Sequence, residues 1–204
     1  MLMRFSGDVW LGLHLGMTGQ LRADEIGVER LKHDHLALQT QHRRLVFSDP
    51  RQFGRIRFWQ GAEAPDWWSD LAIEVLSPKF DYRLFDSFCE RRNKAVLKAF
   101  LLIQDLFPGV GNWMADEILW KARIRPSRRV GELDTEERKA LFDALKFVSR
   151  GAMKYIAPDW SDPPKSWLFR HRWKDGGICP KTGDLLIREV IGGRTTCWSE
   201  GWQR

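Results

Sequence analysis

The sequence predicts an α+β protein with a strand-rich first part, a helical middle and a short C-terminal β-hairpin. Strand-forming residues that alternate between apolar and polar fill residues 1–60, where no long helical pattern occurs. Apolar residues at helical spacing dominate residues 81–156, and glycine turns at Gly176-Gly177 and Gly192-Gly193 separate short strands after them. The predicted segments are a partial N-terminal antiparallel β-sandwich (1–64), a linker (65–80), a helical domain (81–160) and the C-terminal hairpin (161–204).

Composition and charge point to a globular protein with an acidic partner. The 204 residues suffice for one large or two small domains, and 43% of them are hydrophobic and 29% charged. The net charge of +6 and the pI of about 9.4 favour nucleic acid as the partner, although a merely basic protein has the same balance. Three cysteines form no obvious disulfide framework, which fits a reducing cytoplasm. No apolar run reaches the length of a membrane span, and the first residues do not resemble a signal peptide.

Short strands with turns between them are predicted for the first part of the chain. The expected strands are Val9–Leu15, Leu36–Leu38, Arg44–Phe47 and Gln52–Trp59, and Met1–Arg4 also reads as the inside of a strand. Gly16–Gly19 is expected to form a loop, and Asp49-Pro50 opens a turn. A short helix is possible at Trp68–Val75 in the linker.

Helical patterns dominate the middle of the chain, and short strands end it. The expected helices are Asp81–Glu90, Lys94–Gln104, Asn112–Ala122 and Thr135–Ile156, and Asp134 is a good capping residue for the last one. Three prolines make Ala157–Ser166 a loop. The expected C-terminal strands are Trp167–Trp173, Asp184–Val190 and Gly193–Trp198.

The stretch from Phe107 to Trp120 predicts a helix, a tight glycine turn and a second helix. Pro108, Gly109 and Gly111 interrupt the helical pattern, and Asn112 is a favoured N-cap residue for the second helix. A glycine turn allows a backbone to approach a ligand closely, and a helix N-terminus attracts anions. The stretch therefore predicts either a phosphate-binding turn or an ordinary helix–helix corner.

Five segments, taken in order, carry a family resemblance. They are His14–Gly19, Lys32–His35, Asp49–Gly54, Pro108–Asn112, and the hairpin with Gly193–Thr196 and a terminal Gln203. Together they resemble the formamidopyrimidine-DNA glycosylase / endonuclease VIII family over essentially the whole chain. The resemblance implies a helix–two-turn–helix domain and a zinc-finger hairpin. It also implies an enzyme of base-excision repair that excises oxidised bases from double-stranded DNA and cleaves the abasic site by β-elimination. We expect such a protein to act as a monomer in the cytoplasm, at the nucleoid if it is bacterial.

The resemblance implies three residues that fill the gap left by a flipped-out base, namely Met17, Arg51 and Phe53. A flexible thioether, a planar cation and an aromatic ring suit wedging, hydrogen bonding and stacking in the duplex. Packing in a core is the alternative role for Met17 and Phe53.

Four further residues are implied to contact DNA: Asn112, Lys98, Arg194 and His33. Asn112 corresponds to a phosphate-binding asparagine of the family, and Arg194 to the hairpin arginine that clamps the phosphates of the flipped nucleotide. For Asn112 a plain N-cap is the alternative, for Lys98 a solvated helix face, and for His33 a structural role.

The expected nucleophile is not among these residues. The family uses an N-terminal proline followed by glutamate, whereas this sequence opens Met1-Leu2-Met3. A late start, a fragment and a shortened paralogue are three possible explanations, and a missing N-terminal segment is expected because the DNA-contacting residues are retained. The prediction is therefore that no catalytic residue lies in this chain.

The zinc ligands implied by the resemblance are also incomplete. Two Cys-x-x-Cys pairs would occupy Cys179, Thr182, Ser199 and Trp202, so only Cys179 is retained. Cys197 is out of register, and two cysteines cannot complete a tetrahedral site. A hairpin without a metal cofactor is expected, a zincless finger, in which Trp198 and Trp202 provide packing in place of the metal.

Three functions are compatible with these features. The first is a DNA glycosylase with abasic-site lyase activity. The second is a non-catalytic protein that binds damaged or abasic DNA. The third is an RNA-binding module, against which the set Met17, Arg51 and Phe53 argues. The sequence does not indicate which lesion is recognised.

Overall fold

The structure, a computed structural model, describes residues 1–16, 18–158 and 161–204. It divides into two compact units, Met1–Leu71 and Ala72–Arg204. The first is built of strands, and the second of helices with a terminal hairpin, so the predicted α+β class is confirmed. The finer division into four segments stays a prediction.

Two three-stranded antiparallel sheets form most of the described part of the first unit. Their strands are β1 (Leu2–Phe5), β2 (Val9–His14), β3 (Gln20–Glu25), β4 (Asp34–Gln39), β5 (Arg43–Ser48) and β6 (Arg55–Gln60). The spatial orders are β1–β2–β6 and β3–β5–β4. Two apolar pairs are buried, as their patterns predict: the alternating Leu11 and Leu13 on β2, and the consecutive Val46 and Phe47 on β5. A short helix, α1 (Asp66–Ser69), follows β6. It lies earlier in the chain than the helix predicted at Trp68–Val75.

Two features of this unit differ from the sequence-based expectation. Strand β3 was not predicted, because Arg22 and Asp24 interrupt its apolar pattern. The Arg22 guanidinium pairs with both carboxylate oxygens of Asp34 at 2.9 and 2.5 Å, and this ion pair satisfies the charge within the sheet. The strand predicted from Gln52 begins only at Arg55, because the preceding residues form a turn around Asp49.

In the described part of the second unit, four α-helices precede a β-hairpin. They are α2 (Tyr82–Arg91), α3 (Leu97–Phe100), α4 (Asn112–Ala122), α5 (Thr135–Gly151), β7 (Ile187–Ile191) and β8 (Arg194–Trp198). A five-residue π-helical turn, Ala152–Ile156, extends α5. The core includes a cluster of phenylalanines; Phe100 and Phe107, for example, pack edge to face with ring centroids 4.9 Å apart. The expected cap of α5 is confirmed, because the Asp134 carboxylate accepts the Glu137 N–H at 2.8 Å.

Two predicted elements of this unit were wrong. The helix expected over Lys94–Gln104 is reduced to α3. The N–H groups of Leu97 and Lys98 donate instead to the carbonyl oxygens of Arg128 and Pro126, which are distant in sequence. The strand expected over Trp167–Trp173 is instead a short 3-10 turn, Leu168–His171. The Trp167 N–H donates to the carbonyl oxygen of Pro164 at 3.0 Å, and the Phe169 N–H donates to the buried Glu117 carboxylate at 2.9 Å. These backbone donors therefore have partners without a neighbouring strand.

No helix in the described part of the chain has the length and apolar character that crossing a membrane requires.

Candidate nucleic-acid interface

The glycine turn and the N-terminus of α4 form the centre of the candidate site. Gly109 has φ +83°, a conformation that favours glycine, and Gly111 is the N-cap of α4. Asn112 is therefore the first residue of the helix, and the N-cap role considered for it is wrong. The first N–H groups of a helix have no intrahelical acceptor, so this end of α4 can receive an anion.

Asn112 connects the turn to the hairpin. Its side-chain Nδ2 donates to the carbonyl oxygen of Thr195 on β8 at 2.9 Å. Its Oδ1 has no hydrogen-bond partner among the described residues. Arg194, the residue before Thr195, is exposed at the start of β8. The structure thus brings two of the expected DNA-binding residues, Asn112 and Arg194, into one region.

The hairpin tip is seated on α3. Gly192 and Gly193 both have positive φ, +61° and +75°, as the tight turn between β7 and β8 requires. A Cβ on Gly192 would lie 2.9 Å from the Cβ of Ala99, so only glycine allows this approach. The close packing holds Arg194, two residues later, beside the helical motif.

Lys98 is fully buried, contrary to expectation. Its Nζ donates to Asp116 Oδ1 at 2.5 Å and to the carbonyl oxygen of Asn112 at 2.8 Å. Burial lowers the pKa of the Lys98 ammonium group, whereas the Asp116 charge opposes that shift. The solvated helix face considered for Lys98 is wrong. The direct DNA contact is not available in this structure either, because the side chain has no exposed surface.

Asp116 is the hub of this buried cluster, and sequence reasoning missed it. Its Oδ2 accepts hydrogen bonds from Arg172 Nε and Nη2 at 3.0 and 2.6 Å, and from the Cys197 N–H of β8 at 3.0 Å. Asp116 is 1% exposed and Arg172 5%. The one available signal was spacing, since Asp116 lies one helical turn after Asn112.

Glu117 is a second buried carboxylate that sequence reasoning missed. It is fully buried, and its Oε2 accepts the Phe169 N–H at 2.9 Å. The nearest cation, Lys121 Nζ, is 3.9 Å from Oε1. Burial raises the pKa of Glu117 to about 7, and the charge of Lys121 and the hydrogen bond from Phe169 only partly oppose this rise.

In the first unit, hydrogen bonds of Asp49 lie next to the expected DNA-contacting residues His33, Arg51 and Phe53. Its carboxylate accepts the N–H groups of Gly54 at 2.7 Å and Arg51 at 3.3 Å, and its own N–H donates to the carbonyl oxygen of His33 at 2.9 Å. The hydrogen bond from Gly54, together with others, holds the pKa of the buried Asp49 below its usual range, against the effect of burial. His33 is half-buried. Thus His33, Arg51 and Phe53 lie in one turn region.

Arg51 and Phe53 form a stacked pair on the surface. The Arg51 guanidinium lies 4.9 Å from the centroid of the Phe53 ring, and the ring is 53% exposed. Core packing is therefore wrong for Phe53. Met17 lies outside the described residues.

A cavity of about 390 Å³ adjoins Phe53 within the first unit. Its lining includes His14, Arg55, Arg57 and Trp67, and no carboxylate is among the described lining residues. The Trp67 ring lies against the backbone of Gly12, where a Cβ would come within 2.2 Å of it. The cavity is therefore aromatic and cationic in character.

The residues at the four expected zinc positions do not fit the metal. Cys179 provides one sulfur ligand, whereas Thr182 and Ser199 provide only hydroxyls. Trp202 Nε1 donates to the carbonyl oxygen of Trp120 at 2.9 Å, and an indole has no acceptor for a metal. Within the described ranges, no group of three or more His, Cys, Asp or Glu side chains is arranged to hold a metal ion.

The C-terminal residues tie the hairpin to the end of α4 instead. Gln203 Nε2 donates to the carbonyl oxygen of Ile124, and its Oε1 accepts the Ser199 N–H, both at 2.9 Å. The Arg123 guanidinium lies 3.8 Å from the centroid of the Trp202 ring. These contacts join residues 199–204 to the segment after α4.

Family models match both units of the chain. The formamidopyrimidine-DNA glycosylase N-terminal domain matches residues 1–56, and the formamidopyrimidine-DNA glycosylase H2TH domain matches residues 71–157. The formamidopyrimidine-DNA glycosylase of Xanthomonas axonopodis pv. citri is 33% identical over 201 residues, which cover 94% of this chain and 74% of the relative. That of Roseiflexus sp. is 33% identical over 214 residues, covering 100% and 77%.

Solved structures show the same similarity. The MutM (Fpg) protein of Thermus thermophilus is 34% identical with a TM-score of 0.79, covering 99% of this chain and 78% of that one. The Lactococcus lactis Fpg (MutM), solved in complex with DNA containing FAPY-dG, is 25% identical with a TM-score of 0.85, covering 100% and 78%.

We predict that Glu117→Gln removes a pH dependence of stability. The unfolded carboxyl ionises near pH 4.5 and the folded one near pH 7. The stability that protonated Glu117 contributes is therefore complete below pH 4.5 and is lost as the pH rises through 7. Relative to the wild type, Glu117→Gln should gain up to about 3 kcal/mol in free energy of unfolding between pH 4.5 and pH 8. Urea unfolding at several pH values measures this difference. The exposed Glu136→Gln is the control, and parallel pH profiles for wild type and Glu117→Gln would contradict the prediction.

Proposed function

Because the chain belongs to the formamidopyrimidine-DNA glycosylase family, we propose that it acts in base-excision repair as a DNA glycosylase and abasic-site lyase. Its substrate would be double-stranded DNA with an oxidised base, and it would act as a monomer in the cytoplasm. The observation that carries the proposal is the hydrogen bond between Asn112 and Thr195, which holds the N-terminus of α4 beside Arg194. Helix N–H groups and a side-chain amide, both suited to phosphate oxygens, lie there, and the adjoining strand carries the exposed Arg194.

In this proposal Asn112 and Arg194 contact the DNA backbone next to the lesion. Arg194 is exposed and can form paired hydrogen bonds to a phosphate. Lys98 acts indirectly, since its buried ammonium group bonds to the carbonyl oxygen of Asn112 and so supports the start of α4. The basic character of the protein, with net charge +6, favours the same partner.

The pair Arg51 and Phe53, with Met17, would fill the space that a flipped-out base leaves. The exposed ring and the guanidinium stacked on it are available to a base pair without rearrangement of a core. Unstacking a base costs a few kcal/mol, and stacking by such side chains offsets part of that cost. His33, in the same turn region, would contact the backbone.

The chemical steps are assigned to no residue of this chain. In the family an N-terminal proline amine attacks the sugar C1′, the base leaves, and the resulting Schiff base allows β-elimination of the phosphate. The neighbouring glutamate carries the protons. The residues of this chain would bind the duplex, hold the flipped nucleotide and fill the gap.

The test of the proposal is borohydride trapping on a duplex with one abasic site. A chain that extends upstream of Met1 to a Pro-Glu start is expected to form a covalent adduct, because borohydride reduces the Schiff base between its amine and the sugar. An undamaged duplex is the control and should give none. Tight binding of the abasic duplex without any adduct would contradict the glycosylase and support a non-catalytic damaged-DNA-binding protein.

We further propose that the hairpin folds without zinc. The support is the poor ligand set around Cys179 and the contacts of Gln203 and Trp202 that join the hairpin to the end of α4.

The zinc proposal predicts that the purified protein contains no stoichiometric zinc and that EDTA leaves its Tm unchanged. Gln203→Ala should lower the Tm, because it removes two buried hydrogen bonds. Metal analysis and thermal unfolding measure these outcomes, with the exposed Glu200→Ala as a neighbouring control. One zinc ion per chain, or a large loss of Tm on chelation, would refute the proposal.

A further inference from the structure

A buried cluster of three charged side chains joins the start of α4 to strand β8. Lys98, Asp116 and Arg172 are 0%, 1% and 5% exposed. We propose that Asp116 is a positioning residue that holds Asn112 and Arg194 in a fixed relation, so that both reach the same stretch of DNA backbone. This inference rests on the DNA-binding function proposed above and adds to it a residue that touches no DNA itself.

On the helix side, the cluster fixes the backbone of Asn112. Asp116 Oδ1 accepts a hydrogen bond from Lys98 Nζ at 2.5 Å, and the same Nζ donates to the carbonyl oxygen of Asn112 at 2.8 Å. Lys98 lies on α3, so one ammonium group links α3 to both residues of α4. The position of the glycine turn between these helices is thereby constrained.

On the hairpin side, the cluster fixes strand β8. Asp116 Oδ2 accepts the Cys197 N–H at 3.0 Å, and Asn112 Nδ2 donates to the Thr195 carbonyl oxygen at 2.9 Å. Two hydrogen bonds from one face of α4, one helical turn apart, therefore hold alternate residues of β8. Arg194 directly precedes this stretch, so its backbone position follows from theirs.

The negative charge of Asp116 explains why one side chain can hold both the start of α4 and strand β8 in place. Two cations share one carboxylate, and each loses its water on burial, so the carboxylate must accept from both. In Asp116→Asn one acceptor oxygen becomes an NH₂ donor that would face a cation. The cluster would then relax, and both the Asn112 backbone and β8 would lose an anchor.

A purely structural ion pair would have a different signature from a positioning residue. A structural pair affects unfolding but leaves the binding effect of Arg194 unchanged once the protein is folded. A positioning residue that acts through Arg194 gives effects on binding that are not additive with those of Arg194→Ala. A double-mutant cycle on DNA affinity therefore separates the two roles.

The experiment compares wild type, Asp116→Asn, Arg194→Ala and the double variant. The probe is a fluorescent duplex with one tetrahydrofuran abasic-site analogue, and Kd is measured over a range of salt concentrations. Near-UV circular dichroism verifies that each variant is folded at the working temperature. Arg194→Ala should weaken binding about tenfold and lower the salt slope by about one. Asp116→Asn should also weaken binding about tenfold, and the double variant should be no more than about threefold weaker than either.

The matched control is Asp86→Asn, which breaks an ion pair of 2.9 Å with Arg138 elsewhere in the same unit. Its effect on affinity should be small and additive with that of Arg194→Ala. If Asp116→Asn does not fold, Arg172→Lys takes its place, since it keeps the charge but loses one of the two hydrogen bonds to Asp116.

The outcomes distinguish the inference from the function on which it rests. A normal loss with Arg194→Ala, but additive effects with Asp116→Asn or Arg172→Lys, overturns the positioning role alone. No loss with Arg194→Ala removes the proposed phosphate contact, and with it the positioning role. Non-additive effects confined to the Asp116 cluster, and absent for Asp86→Asn, support the inference.

Discussion

The buried carboxylate of Asp116 is the interaction on which the candidate DNA-binding surface depends. A charge without water needs hydrogen-bond donors, and here the donors come from α3, from the segment before the hairpin and from β8. Lys98 and Arg172 could not be buried without it, because each would be an unpaired cation. A single side chain thus makes the glycine turn and the hairpin parts of one surface.

The hairpin has a second set of contacts besides those of the Asp116 cluster. The end of the chain makes these contacts through Gln203 and Trp202 and through the cations of Arg123 and Arg125, which stack on Trp202 and Trp198. These contacts close the hairpin onto the segment after α4. The Asp116 cluster holds β8 at Cys197, and the C-terminal contacts hold the residues from Trp198 onward, so both act at the end of the strand away from Arg194. At its start, the hydrogen bond between Asn112 and Thr195 holds the residue next to Arg194.

The sequence predicted correctly those elements whose local pattern of apolar, capping and turn residues agrees with their surroundings in the fold. The helix Asn112–Ala122, the cap at Asp134 and the glycine hairpin were all predictable from spacing and turn chemistry. The environment of Lys98 was not, because its burial depends on Asp116 and Arg172, which are distant in sequence. The predictions for β3 and α3 failed for the same reason. Ion pairs and hydrogen bonds between residues distant in sequence outweighed the local propensity.

Amide hydrogen exchange at Cys197 in the unmodified protein, followed by NMR, tests directly whether Asp116 joins α4 to β8. If Asp116 makes α4 and β8 one cooperative unit, the Cys197 N–H should open with the same free energy as the amide of Ile118 in the core of α4. Exchange at Cys197 that is much faster than at Ile118 would mean that the hairpin opens independently. It would contradict the claim that one buried carboxylate holds the surface together.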